Sequence, residues 1–169
     1  MPPMPNDEHQ QMVMRIGSIL QEIIGWPGLG EIRAGINLSD REEGWEHNYR
    51  VPDLVTFLHG GPARNCGTHW CGGPDFIVEI TSPDDRTRDK LPFYQDIGVR
   101  ELLLIDRDPW ALEVYVLRER KLIQGGRVTL DQPGVLSCIV LPLTFELLPG
   151  RIRPLVAVTH RETQHRWLV

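Results

Sequence analysis

The stretch Asp75-Phe76-Ile77-Val78-Glu79-Ile80-Thr81 places one acid inside a run of apolar residues. Its β-branched and aromatic residues predict a strand over 75–81, on which residues 75, 77, 79 and 81 share one side because side chains alternate with a period of two. An ionised carboxylate among apolar neighbours is costly to bury unless it has a partner. Glu79 is therefore the first candidate for a residue with a chemical role.

A second acid lies upstream in a similar run. Residues 50–58 predict another strand, with Pro52 at its beginning or on an edge position, and Asp53 shares a face with apolar residues of that strand. Two carboxylates from neighbouring strands can hold Mg²⁺, which prefers one or two carboxylates together with water and substrate oxygens. We therefore expect a magnesium (or manganese) site formed by Asp53, Glu79 and the carbonyl oxygen of Ile80.

A lysine follows where it could serve the same site. Residues 89–98 predict a short helix with Asp89 as its N-cap and Pro92 in its first turn, where no hydrogen bond is lost. Lys90 would orient an attacking water or neutralise charge on a phosphoryl group, while a bound metal would polarise the phosphate. These side chains are sufficient for hydrolysis of a phosphodiester, with Asp53, Glu79 and Lys90 as the catalytic residues.

Other interpretations of these acids stay open at this stage. Asp53 and Glu79 could each cap a turn or form an ion pair with an arginine such as Arg50 or Arg88, without any metal. Asp75, on the same side of its strand as Glu79, is a further candidate ligand. The sequence alone does not decide between a structural and a catalytic role.

The remaining pattern predicts an α/β fold in a single domain of residues 1–169. Residues 1–6 are a proline-rich lead-in expected to be flexible, and residues 59–73 are a turn-rich insertion. Apolar residues at helical spacing predict a helix over residues 7–24. Further strands are expected over residues 31–38, 102–106, 112–117, 121–130 and 137–148.

Composition limits the classes of function. The chain has a net charge of −5, whereas proteins that bind nucleic acid normally have a basic surface for contacts with phosphates. Any binding of nucleic acid must therefore rest on a local basic patch. Three cysteines do not make a disulfide framework, which favours the cytoplasm. No apolar run approaches the roughly 20 residues of a membrane-spanning helix, and the N-terminus lacks the layout of a secretion signal.

Two cysteines and two histidines, which are typical zinc ligands, lie in the predicted insertion 59–73. His59, Cys66, His69 and Cys71 lie within thirteen positions, and the two cysteines are separated by four residues, as in half of a zinc knuckle. The second half is represented only by scattered histidines. A loop that contains two thiols by chance is the favoured interpretation, and a structural protein stabilised by zinc is the weaker one.

The strings around the acids resemble the Uma-two family, bacterial proteins proposed to be endonucleases. The matching strings are Pro52-Asp53, Asp75-Phe76-Ile77-Val78-Glu79-Ile80-Thr81-Ser82-Pro83, Lys90-Leu91-Pro92-Phe93-Tyr94, Gly98-Val99-Arg100-Glu101-Leu102 and Leu104-Ile105-Asp106. The family belongs to the restriction-endonuclease-like superfamily with its PD-(D/E)xK signature. The resemblance implies a mixed central sheet flanked by helices, with Asp53 and Glu79 as metal ligands.

The resemblance also implies a relocated lysine. The superfamily places its lysine two residues after the glutamate, where this chain has Thr81, whereas the family takes its lysine from the following helix, where Lys90 stands. A helical lysine can reach the same point because its stem is long and flexible. We therefore expect a magnesium-dependent endonuclease acting on nucleic acid, DNA in particular, and a homodimer would suit the cutting of a duplex. The alternative is a non-catalytic nucleic-acid or protein-binding module that retains the nuclease fold.

Overall fold

The computed structural model describes residues 7–81 and 86–169. Within them the helices are α1 (Asp7–Leu20), which continues as a π-helical turn (Gln21–Gly25), and α2 (Leu91–Ile97), together with two 3₁₀ turns, Trp45–His47 and Thr87–Lys90. The strands are β1 (Gly30–Ala34), β2 (Leu38–Ser39), β3 (Tyr49–Arg50), β4 (Leu54–Leu58), β5 (Arg64–Asn65), β6 (Trp70–Cys71), β7 (Phe76–Ile80), β8 (Glu101–Arg107), β9 (Trp110–Arg118), β10 (Lys121–Thr129), β11 (Leu136–Ser137), β12 (Leu143–Leu148), β13 (Leu155–His160) and β14 (Arg166–Leu168).

A mixed six-stranded sheet forms the centre, in the order β1-β4-β7-β8-β9-β10. Strands β7 and β8 are parallel, and the other neighbours are antiparallel. Parallel neighbours need a crossover, and α2 lies in the connection between β7 and β8. The expected α/β fold with a mixed sheet flanked by helices is therefore confirmed.

One face of the central sheet is covered by α1 and by a second, antiparallel sheet of β11 to β14. The helix forms because Met12, Ile16 and Leu20 recur at helical spacing, and all three are buried against Phe76 and other sheet residues. The predicted helix over residues 7–24 is thus confirmed, apart from its last turn, which widens into the π-helical turn. No helix in the described part of the chain is long and apolar enough to cross a membrane.

The opposite face is covered by α2, whose Phe93 and Tyr94 are buried with Ile77 and Leu102. The helix starts later than predicted, because residues 87–90 form a 3₁₀ turn and Lys90 occupies the cap position. Asp89 as N-cap was wrong: its carboxylate instead pairs with the Arg86 guanidinium at 2.6 Å. Pro92 does fall in the first helical turn, as expected.

Three predicted strands are each divided in two. The strand expected over residues 50–58 breaks around Pro52, so that β3 joins a small sheet ordered β3-β2-β6-β5 and only β4 joins the central sheet. The strand expected over 31–38 breaks at Gly35, whose φ of +59° is left-handed. The strand expected over 137–148 is interrupted between β11 and β12. The insertion 59–73 contains β5 and β6 rather than turns alone.

A β-bulge shifts the register between β9 and β10. Gln124 pairs with Tyr115 and Gly126 pairs with Val114, so Gly125 is an extra residue in β10. Beyond the bulge, Arg127 pairs with Glu113.

Candidate active site

Asp53 and Glu79 lie side by side where β4 begins and β7 ends. Leu54 pairs with Val78 in an antiparallel register, so the next residues outward, Asp53 and Glu79, face each other. The backbone amide of Ile80 donates to Asp53 Oδ2 at 2.7 Å, which fixes the Asp53 carboxylate against the end of β7. The two strands are thus neighbours, as a shared metal site requires.

Asp53 is also held by a residue that the sequence analysis did not single out. Its Oδ1 lies 3.1 Å from His9 Nε2, and its side chain keeps 21% of its surface exposed. His9 reaches the site because α1 packs on this part of the sheet. The only signal in the sequence is that His9 continues the apolar stripe of α1 towards its N-terminus, which places the imidazole on the buried side.

Glu79 is 1% exposed and is surrounded by donors from the segment that follows β7. Lys90 Nζ lies 3.0 Å from Glu79 Oε1 and 3.2 Å from Oε2, and the Tyr94 hydroxyl donates to Oε1. Lys90 and Tyr94 are four residues apart, a spacing that puts both side chains on the same side of a helical segment. Tyr94 is fully buried, and its hydroxyl has its partner in Glu79. The lysine does come from the segment after Glu79, although Thr81 occupies the usual position.

The surroundings change the acidity of Glu79. Burial raises the pKa of Glu79 to about 7; the Lys90 ammonium works against this rise, and the negative charge of Asp53 adds to it. Burial and the charge of Glu79 raise the pKa of Tyr94 far above its usual range, so its phenol stays a hydrogen-bond donor. Glu79 therefore gains or loses its proton near neutral pH.

The arginines proposed as structural partners of the acids lie elsewhere. The Arg50 guanidinium stands over the Phe93 ring at 4.8 Å, and Arg88 binds Asp106 and Glu113. Asp75 is not brought to the site: it accepts from the Leu58 amide at 2.8 Å and pairs with Arg100 at 2.7 Å, near the start of β7. Of the motif Thr81-Ser82-Pro83, the last two residues lie outside the described residues.

The cysteines and histidines of the insertion do not assemble a zinc site. His69 Nε2 lies 3.0 Å from the Arg41 carbonyl oxygen, and its ring stacks on Trp45. The Cys66 thiol contacts the Arg64 carbonyl oxygen at 3.7 Å. Within residues 7–81 and 86–169, no group of three or more His, Cys, Asp or Glu side chains is placed to hold a metal. A metal at Asp53 and Glu79 would therefore take its other ligands from backbone, water and substrate.

A second buried acid lies in line with Glu79 across the sheet. Glu79 pairs with Leu104, Leu104 with Glu113, and Glu113 with Arg127, so that the four residues form one row on the face covered by α2. Glu113 is only 4% exposed. Glu113 alternates with apolar residues in β9, a pattern that is typical of a solvent-facing position, so its burial was not predicted.

Three side chains hold the Glu113 carboxylate. Arg88 Nη2 lies 2.9 Å from Glu113 Oε1, Arg127 Nε lies 3.2 Å from the same oxygen, and the Tyr115 hydroxyl donates to Oε2 at 2.6 Å. Arg88 Nη2 also lies 2.8 Å from Asp106 Oδ2. Arg88 and Lys90 belong to the same 3₁₀ turn, which therefore supplies one cation to each of the two buried glutamates in the row.

Comparison with known proteins agrees with this architecture. A solved structure from Anabaena variabilis ATCC 29413, titled as that of "a putative nuclease belonging to DUF820", matches with a TM-score of 0.59 and 19% identity over 80% of this chain and 74% of the other. That similarity concerns the fold alone. No curated protein matches the chain. The model of the family described as "Uma2: Putative restriction endonuclease" matches residues 1–150. Since that match covers most of the chain, the protein belongs to the Uma2 family.

Proposed function

We propose that this protein is a metal-dependent nuclease that hydrolyses phosphodiester bonds of nucleic acid, DNA in particular. Membership of the Uma2 family supports a nuclease-like function. The observation that carries the finer proposal is the contact geometry at the end of β7, where Asp53 and Glu79 adjoin and Lys90 lies 3.0 Å from Glu79. An acid pair that can hold a metal ion, with an ammonium beside it, is an arrangement that supports phosphodiester hydrolysis.

The donors fit a hard divalent cation. Carboxylate and carbonyl oxygens suit Mg²⁺ or Mn²⁺, and the partly exposed Asp53 gives access from solvent, whereas Glu79 alone would be closed off. Asp53, Glu79 and the Ile80 carbonyl oxygen would hold the ion, which when bound would polarise the scissile phosphate and lower the pKa of a water. The raised pKa of Glu79, about 7, is consistent with a carboxylate that gains from a cation nearby.

The other side chains of the site have positioning and charge roles. His9 and the Ile80 amide each hold one oxygen of Asp53, and Tyr94 holds Glu79, so that both carboxylates are preorganised. The Lys90 side chain is 27% exposed, so its ammonium can meet a substrate phosphate or an attacking water while remaining beside Glu79. Lys90 would thus stabilise the charge that develops on the phosphoryl group.

The test is cleavage of a labelled DNA duplex with Mg²⁺ or Mn²⁺ by the wild type, Asp53→Asn and Glu79→Gln. Both substitutions preserve shape and remove a charge, so we expect cleavage to fall by a factor of at least about 100 while the circular dichroism spectrum stays that of the wild type. The matched control is Glu146→Gln, which removes the charge of Glu146 in β12 from its exposed ion pair with Arg166 in β14. This variant should cleave normally. Normal cleavage by both site variants would overturn the assignment of the acids.

A second candidate is a non-catalytic module that binds nucleic acid or a protein and retains the fold. It is favoured by the net charge of −5 and by Thr81 in the usual position of the lysine. Binding of DNA that weakens with salt, with no cleavage under any metal, would support it. Pairing of two chains stays a prediction, which light scattering of the purified protein would check.

A further inference from the structure

Two half-exposed arginines stand at the far end of the row that begins with Glu79. The side chains of Arg88 and Arg127 are 47% and 43% exposed, and both are anchored on the buried Glu113. Strands are spaced about 4.8 Å apart, so Arg127 on β10 lies roughly 14 Å from Glu79 on β7 across three strand intervals. The two arginines thus stand beside the proposed cleavage site on the same face of the sheet.

The anchoring leaves Arg127 with donors for a ligand. It contacts Glu113 through Nε, and no other hydrogen bond or ion pair of Arg127 occurs in the part of the chain that the structure describes. Its two terminal nitrogens form the end of a planar fork, the group that recognises phosphate oxygens in pairs. Glu113 also accepts a hydrogen bond from the Tyr115 hydroxyl, so its carboxylate holds the Nε end of the Arg127 guanidinium in a fixed position.

An open cavity adjoins Arg127 at the same end of the sheet. Its volume is about 580 Å³, and its lining includes Arg127, Trp110 and Gln132. Asp108-Pro109 and residues 129–132 form its walls. The Trp110 ring and the Gln132 amide suit a flat base, and Asp108 and Asp131 in the same lining leave the charged phosphate outside the cavity, at the arginine.

We propose that Arg88 and Arg127, positioned by Glu113, bind a phosphate of the nucleic-acid strand next to the scissile one, with the attached nucleotide in the adjoining cavity. This proposal rests on the proposed function; because Glu113 and Asp106 balance the charges of the two arginines, the site would act through the directed donors of Arg127 more than through net charge. Arg88 and Arg127 are positioning residues in it: they set where the strand lies relative to Asp53 and Glu79.

The first measurement is binding of a fluorescent DNA oligonucleotide by anisotropy in EDTA, where no cleavage occurs. The variants are Arg88→Ala, Arg127→Ala and Arg127→Lys. Arg166→Ala is the matched control. Arg166 is likewise about half exposed (45%) and pairs with an acid, Glu146, at 3.0 Å, but it lies in the sheet of β11 to β14. We expect each alanine variant at the proposed subsite to bind about tenfold more weakly. The slope of log affinity against log salt concentration should decrease by about 1, the value for one phosphate contact.

The lysine variant separates binding from folding. Arg127→Lys keeps a cation beside Glu113 but loses the fork, so its thermal midpoint should match the wild type while its affinity stays reduced. A series of oligonucleotides would each carry one uncharged methylphosphonate. At one position outside the scissile bond, this replacement should weaken binding by the wild type and leave binding by Arg127→Ala unchanged.

The outcomes distinguish this proposal from the proposed function. If the wild type binds with this pattern but never cleaves, the phosphate subsite is supported and the nuclease assignment fails. If the wild type cleaves and Arg127→Ala binds no more weakly than Arg166→Ala, the subsite is overturned and the nuclease stands. Absence of oligonucleotide binding by the folded wild type also overturns the subsite.

Discussion

Replacing Glu79 by Gln should change how the stability of the metal-free protein depends on pH. Glu79 is 1% exposed, and burial raises its pKa from the ordinary value of 4.5 to about 7. Gln has nearly the same shape, and its carbonyl oxygen can still accept from Lys90 and Tyr94, both of which contact Oε1. The variant therefore isolates the ionisation of one buried carboxyl group.

The sign of the effect follows from where the proton resides. Below about pH 4.5 the folded and unfolded chains both hold the proton on Glu79. Between about pH 4.5 and 7 the unfolded chain releases it while the folded chain keeps it, so the free energy of unfolding falls as the pH rises and levels off above about 7. Since one pKa unit corresponds to about 1.4 kcal/mol, the total fall is about 3 kcal/mol.

The assay is urea denaturation in EDTA at a series of pH values for the wild type and Glu79→Gln. The difference in free energy of unfolding between variant and wild type should shift in favour of the variant by about 3 kcal/mol between pH 4 and 8. In an Asp53→Asn background the shift should be smaller, because the Asp53 charge contributes to the raised pKa of Glu79. A difference that stays constant over the whole range would refute the reasoning, since Glu79 would then ionise alike in both states.

Four further predictions test the site and its support. Mg²⁺ should raise the thermal midpoint of the wild type more at pH 8 than at pH 6, because the proton on Glu79 competes with the ion below about pH 7; equal shifts would contradict this. Tyr94→Phe should lower the free energy of unfolding by about 1 kcal/mol in chemical denaturation, since a buried hydrogen bond is lost without a change of shape. Glu101→Gln should lower the free energy of unfolding by about 1–3 kcal/mol, because the buried carboxylate accepts hydrogen bonds from the backbone amides of Ile139 and Val140. Cleavage by the folded fraction should be retained, and a loss of specific activity would contradict this. Gly73→Ala should lower the thermal midpoint markedly, because its Cβ would lie 2.4 Å from a backbone carbon of another segment, and an unchanged midpoint would show that the loop can move.

Local patterns predicted the parts of the fold that depend on neighbouring residues. The helical spacing in α1 and the apolar run of β7 carry their own signals, and both elements were predicted. Asp53, Glu79 and Lys90 were predicted as a group, and the structure does bring them together. Whether they bind a metal stays a prediction.

Features that depend on distant partners were missed. Strand β13 pairs with β12 and with β14, and no strand was predicted over residues 149–169. His9 meets Asp53 across 44 positions of the chain, and no local pattern connects the two. Glu113 was missed for a related reason: strand alternation shows which side a residue takes, but not whether another element covers that side.

The bulge at Gly125 determines on which face of the sheet a positive charge is displayed. If Gly125 were itself paired with Val114 in a regular ladder, Gly126 would lie opposite Glu113, and Arg127 would lie opposite Leu112 on the face covered by α1. Deleting Gly125 would therefore leave Arg127 opposite Glu113, whereas drawing Gly125 into the ladder would move this positive charge to the other face of the sheet. The face on which this basic side chain lies is therefore determined by the register between β9 and β10 and not by the residue type alone.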